Sequence, residues 1–186
     1  MKILTASHGK KLTEKISSRQ IALLGALCLF LSAVEYMIPK PLPFLRIGLA
    51  NLPLMLALGI FPLRDYFVLI CIKITGQAII TGTLFSYVFL FSAAGTFFSA
   101  FSMYFLYKLF FNRGRITFIG IGTAGAFISN ITQLFLAYFF IFNDNTFYIA
   151  PAFLITGLIT GIALGAFCQA FAGKSVWRSV LIGNNE

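Results

Sequence analysis

Long apolar segments, separated by short polar ones, occupy the chain from residue 20 to residue 172. A helix needs about 20 apolar residues to cross the ~30 Å hydrocarbon core of a bilayer. The pattern therefore predicts an all-α fold, a polytopic membrane protein with six transmembrane helices. The predicted spans are approximately 20–38, 47–61, 65–83, 84–111, 116–142 and 147–172.

The second predicted span differs from the others because it is short and contains Pro53. It could re-enter the membrane rather than cross it completely. The remaining chain divides into a basic N-terminal tail, 1–19, a membrane domain, 20–172, and a C-terminal tail, 173–186. A cleaved signal peptide is not expected, because no A-x-A site follows the first apolar segment.

The composition supports a membrane location. The 186 residues are 59% hydrophobic and only 10% charged, whereas soluble domains are about a quarter charged. The net charge of +9 is explained by topology, and we expect no nucleic-acid partner.

Basic residues cluster on the cytoplasmic side of membrane proteins. If the N-terminus is cytoplasmic, Lys40 and Arg46 lie outside, and Lys73 lies within the bilayer. Eleven of the fourteen basic residues then lie inside: Lys2, Lys10, Lys11, Lys15, Arg19, Arg64, Lys108, Arg113, Arg115, Lys174 and Arg178. This asymmetry predicts a multi-pass protein of the cell (inner or plasma) membrane with both termini cytoplasmic.

Lys73 is the most unusual residue in this pattern, because it lies in the middle of the third predicted span. A charge at such a depth costs at least about 2.5–3.5 kcal/mol on insertion scales. Such a residue is expected to face a partner or a water-filled cavity. Gln77 follows at i+4 and therefore lies on the same helical face.

Other polar residues lie near the middle or the predicted outer end of neighbouring spans. Together they predict a polar pocket that opens outward and binds a small solute, with a weak preference for an anion. The candidate substrate-binding residues are Glu35, Arg46, Asn51, Lys73, Gln77, Asn130 and Gln133. The alternative is that Lys73 and Glu35 merely neutralise each other as a structural pair.

Several kinds of chemistry are not expected. The chain has five acidic residues, one histidine and no nucleotide-binding G-x-x-x-x-G-K-[ST] motif. The three cysteines lie in apolar segments without metal-ligand spacing. We therefore predict no catalytic residues, no metal site, no cofactor and no autonomous enzyme activity.

Three segments carry a resemblance to a known family: RIGLAN (46–51), GQAIITGTLFSYVFLFSAAGTFFS (76–99) and GAFISNITQLFLAYFF (125–140). Together they resemble the family called both "Gx transporter" and "heptaprenyl diphosphate synthase component I". That family is similar to the substrate-binding S components of energy-coupling factor transporters. The resemblance implies a six-helix bundle that binds a small organic solute from outside.

The resemblance also implies partners, namely a transmembrane coupling subunit and two ATPase subunits. S components often carry an A-x-x-x-A motif on the first helix that contacts the coupling subunit, and Ala22 and Ala26 match that motif. Two rival functions stay open. One is an accessory membrane subunit of prenyl diphosphate or quinone biosynthesis that binds an isoprenoid, and the other is a structural subunit of a redox or assembly complex.

Overall fold

The computed structural model describes residues 2–38, 48–111 and 114–172, with the backbone alone at 2–17 and at 172. Within these ranges the chain is helical and contains no strand, which confirms the predicted all-α class. The helices are α1 (Lys2–Met37), α2 (Leu52–Ala57), α3 (Leu63–Thr81), α4 (Tyr87–Phe110), α5 (Phe118–Ala137) and α6 (Thr146–Ala172). Short turns precede α2 (Leu49–Asn51) and α6 (Asn143–Asn145), and a π-helical turn, Tyr138–Phe142, extends α5.

Three stretches of the described chain are long and apolar enough to cross a membrane: Ser18–Met37, Tyr87–Phe110 and Phe118–Phe171. The third stretch contains both α5 and α6. These helices are compatible with a membrane protein, although they do not amount to six separate spans. α3 is a continuous helix of 19 residues, about 28 Å long, and Lys73 is a charged residue near its middle.

The second predicted span is not a membrane-crossing helix. The segment 49–57 contains one 3-10 turn and a six-residue α-helix, which together rise only about 15 Å. The helix ends because Leu58 adopts an extended conformation and Gly59 a positive φ of 82°. The residues from Pro53 to Leu58 are buried, so the segment lies inside the bundle rather than facing lipid.

α1 and α3 run side by side in the same direction. Gly25 packs against Ile72, and Gly76 packs against Leu29, so both contacts join residues 47 positions apart. Two parallel helices require the chain between them to return along the bundle. The segment 48–62, called the buried segment because its residues 53–58 are buried, therefore lies on this return path, even though it contains only a short helix.

α4, α5 and α6 pack as successive antiparallel helices. Gly95 on α4 faces Gln133 on α5, whereas Gly125 faces Met103, so the pairing runs in opposite directions along the two helices. A Cβ atom added to Gly165 would lie 2.5 Å from the Cα of Ile119. The glycines of α6 thus allow its backbone to approach α5, as small residues do between membrane helices.

Two apolar clusters occupy opposite ends of the bundle. The larger cluster includes Leu24, Tyr66, Met103 and Cys168, and the smaller one is centred on Phe91. Along α4 and α5, buried polar side chains lie between the residues of the two clusters. This order along the chain places a polar layer near the middle of the bundle.

Candidate functional site

Lys73 lies in the polar layer and is only 3% exposed. Its ammonium group donates hydrogen bonds to Oδ1 of Asn51 and, at 3.4 Å, to Oγ1 of Thr96. The turn of the buried segment supplies the first acceptor, and α4 supplies the second. Lys73 therefore connects three parts of the bundle that are distant in sequence.

Glu35 lies near the end of α1 and is 1% exposed. Its carboxylate accepts hydrogen bonds from the backbone N–H groups of Gly48, at 3.2 Å, and Ala50, at 3.5 Å. These are donors at the start of the 3-10 turn, where no earlier residue of the helix can accept from them. Glu35 thus caps the buried segment from a different helix, which was not predicted from the sequence.

A cavity lies between these two charged residues. Its volume is about 30 Å³, and about 10–15 Å³ is enough for one water molecule. Its lining combines the two charged side chains with amides, hydroxyls and apolar groups. The lining residues are Glu35, Gly48, Ala50, Asn51, Met55, Lys73, Gln77, Thr96, Met103, Gly122, Ala126, Ser129, Asn130, Thr160 and Leu164.

The side chain of Gln77 lies one helical turn beyond Lys73 and is 5% exposed. Its carbonyl oxygen, Oε1, is buried without a hydrogen-bond partner in the described part of the chain. A buried acceptor without a partner costs about 1–3 kcal/mol. Because Gln77 lines the cavity, a donor inside the cavity could satisfy this oxygen.

Asn130 and Gln133 lie on the predicted common face of α5, but they occupy different positions. Asn130 lines the cavity and donates a 2.6 Å hydrogen bond to the carbonyl oxygen of Phe153 on α6. Gln133 does not line the cavity. Its amide donates to Oγ of Ser129 at 3.2 Å, so it lies behind a lining residue.

Five of the seven candidate binding residues therefore surround one cavity. Gln133 lies behind it, and Arg46 lies outside the described residues. Ala22 and Ala26 are exposed on α1, on a different face from Gly25, which packs on α3. Their predicted role as a docking surface stays a prediction.

Sequence reasoning missed three hydroxyl residues of the lining: Thr96, Ser129 and Thr160. Ser and Thr in membrane helices commonly bond to the backbone one turn earlier, as Thr160 does to Thr156. They therefore resemble packing residues in the sequence. The spacing of Thr96 from Ser92 and Ser99 places it on one polar face of α4, but it does not distinguish a lining residue from a packing residue.

The lining is suited to hydrogen bonding. Within the described ranges, no group of three or more His, Cys, Asp and Glu residues could hold a metal ion. The lining instead offers an ammonium group, a carboxylate, three carboxamides and three hydroxyls. Such groups can bind and orient a small polar molecule.

Comparison with known proteins identifies a family. No curated protein and no solved structure has significant similarity to the chain. The family model for heptaprenyl diphosphate synthase component I, however, matches residues 24–171, which include every described residue of the cavity. The predicted family is thus confirmed, and the chain belongs to the heptaprenyl diphosphate synthase component I family.

Proposed function

We propose that this protein is a membrane-embedded binding subunit that captures a small organic solute and transfers it to an energy-coupling factor type transporter. The observation that carries the proposal is the polar cavity around Lys73. A buried cation, a buried carboxylate and the unpartnered oxygen of Gln77 meet there, within a bundle of apolar helices.

The free-energy cost of burying these polar groups supports a binding role. Polar groups inside a membrane protein are expensive and commonly mark substrate or ion pathways. A purely structural bundle could satisfy the same packing with apolar side chains. The polar groups also come from six separate parts of the fold, as expected for a site that forms only when the bundle is assembled.

The proposed topology has six crossings with both termini in the cytoplasm. The parallel packing of α1 and α3 supports it, because the chain must return between them. The segment 48–62 would make this return inside the bundle as a broken element. Non-helical backbone at membrane depth is tolerated where it is buried in protein or lines a cavity.

Solute binding requires the cavity to widen. A volume of about 30 Å³ accommodates only about two water molecules, which is less than a vitamin-sized molecule needs. In this proposal the buried segment is the wall that moves, because it contains only a six-residue helix.

The family name favours a second candidate function, an accessory subunit of a prenyl diphosphate synthase. Affinity purification of the tagged full-length protein from its native membrane distinguishes the two. The proposal predicts a coupling subunit together with ATPases that carry G-x-x-x-x-G-K-[ST] motifs. A prenyltransferase with an aspartate-rich motif, recovered without those ATPases, would contradict it.

A further inference from the structure

The charges around the cavity restrict the kind of molecule that it can bind. Among the described lining residues, Lys73 supplies one positive charge and Glu35 one negative charge. The charges of the described lining residues therefore cancel. An ion of either sign would lose its hydration on entry without a net opposite charge to compensate for that loss.

The hydrogen-bonding groups of the lining further restrict the kind of ligand that the cavity can bind. Oε1 of Gln77 is a buried acceptor without a partner in the described part of the chain, so a ligand that supplies a donor would satisfy it. Oγ of Ser129 accepts from the amide of Gln133, which leaves the hydroxyl hydrogen of Ser129 available to donate. The cavity thus presents an acceptor on α3 and a donor on α5.

We infer that the site recognises an uncharged ligand through an amide-like group, in which a carbonyl oxygen lies next to an N–H donor. Carboxamides, lactams and heterocyclic amides belong to this class. The N–H group donates to Gln77, and the carbonyl oxygen accepts from Ser129. This inference rests on the proposed binding function, and it differs from the weak preference for an anion that the sequence gives, which depends on Lys40 and Arg46 outside the described residues.

The positions of the polar side chains of Ser129 and Gln133 depend on Gly95, against which both side chains pack. A Cβ atom on Gly95 would lie 2.8 Å from the amide nitrogen of Gln133 and 3.0 Å from Oγ of Ser129. The glycine therefore provides the space in which these two side chains meet. Without it, the hydroxyl of Ser129 would be displaced relative to Gln77.

The inference is tested with three probes of similar small size and different charge: acetamide, acetate and ethylammonium. Each is titrated into the full-length protein in lipid nanodiscs, and binding is measured by saturation-transfer NMR. We expect acetamide to bind at least tenfold more tightly than either ion. Gln77→Met should weaken acetamide binding at least tenfold, whereas Thr75→Val, on the exposed side of the same helix, should not change it.

Three results would overturn the inference. Tightest binding of acetate, lost in Lys73→Met, would assign an anionic ligand and leave the proposed binding function intact. Tightest binding of ethylammonium would assign a cation directed at Glu35. Equal binding of all three probes, or no specific binding, would show that the site does not recognise an amide group. The proposed function is tested separately, by the partners that affinity purification recovers.

Discussion

The side chain of Asn51 accepts a hydrogen bond from the ammonium group of Lys73, and this contact joins the buried segment to the middle of α3. The two residues are separated by 22 positions, and Asn51 lies in a short 3-10 turn whereas Lys73 lies in a long α-helix. The contact provides the buried ammonium group with a hydrogen-bond acceptor. It also makes Lys73 both a wall of the cavity and a support for the segment that would open it.

The double role of Lys73 gives the first prediction. Lys73→Met should weaken solute binding at least tenfold, about 1.4 kcal/mol, because the ammonium group lines the cavity. It should also lower thermal stability, because Oδ1 of Asn51 loses its donor at a cost of about 1–3 kcal/mol. Binding and melting temperature are measured on the same nanodisc preparation.

A double-mutant cycle separates the two effects. Asn51→Leu combined with Lys73→Met should recover part of the lost stability, because no acceptor is left without a partner. Binding should not recover. Additive losses of stability would show that the two side chains are not coupled, and the rescue of Lys73→Met by Glu35→Gln instead would identify the charge pair as the main structural role.

Glu35 is predicted to hold the buried segment in place. Glu35→Ala removes the acceptor for the N–H groups of Gly48 and Ala50, and hydrogen bonds to charged groups contribute about 1.5–3 kcal/mol each. Hydrogen exchange at residues 48–51 should therefore accelerate more than tenfold. Asp144→Asn, at an exposed acidic residue, serves as the control, and unchanged exchange in Glu35→Ala would contradict the capping role.

The glycines of the bundle should differ in their tolerance of alanine. In Gly165→Ala the new Cβ would lie 2.5 Å from the Cα of Ile119, and backbone atoms cannot rotate away. We expect this variant to lose about 1–3 kcal/mol of folding stability. In Gly25→Ala the Cβ would meet only side-chain atoms, of Ile72 at 3.1 Å and of Leu69 at 4.0 Å, so the stability of that variant should change little. Equal melting temperatures for the two variants would refute the close packing of α5 and α6.

The exposed alanines of α1 test the docking proposal. Ala22→Trp and Ala26→Trp should abolish solute uptake by the assembled transporter, because small residues allow a partner helix to approach closely. Binding by the isolated protein should persist, since both residues lie on the surface. Ala170→Trp, an exposed position on α6, is the matched control, and uptake that survives both α1 variants would exclude this interface.

The predicted topology is accessible to labelling. With Cys28, Cys71 and Cys168 replaced by serine, single cysteines at Ser7 and Asn145 should react with impermeant reagents from opposite sides of the membrane. This result follows from the distribution of basic residues. Reaction of both positions from the same side would contradict the six-crossing topology.

The sequence predicted the long helices and much of the polar layer because both depend on local patterns. Apolar segments of membrane length identify helices, and an isolated lysine among isoleucines is conspicuous. The short buried helix could not be predicted, because Pro53 and Gly59 are compatible with either a complete span or a broken one. The capping of Gly48 by Glu35 was also inaccessible, because it depends on packing between distant segments.

Hydroxyl residues such as Thr96 show a different limit. A threonine in an apolar helix can satisfy its hydroxyl within its own helix, so its chemistry becomes visible only when a neighbour such as Lys73 is located. Gln133 shows the opposite limit, because its polar side chain is conspicuous in the sequence but does not reach the cavity. Its spacing from Asn130 correctly places both on one side of α5, but only the packing of Ser129 decides which of them reaches the cavity.

The most direct test of the central claim, that the cavity around Lys73 binds a small polar solute, is native mass spectrometry of the gently purified full-length protein. The account predicts a bound polar molecule of low mass, present in the wild type, retained in Thr75→Val and lost in Gln77→Met and Lys73→Met. A long apolar isoprenoid retained in all four proteins would contradict it, and would assign the protein instead to the synthesis of prenyl chains.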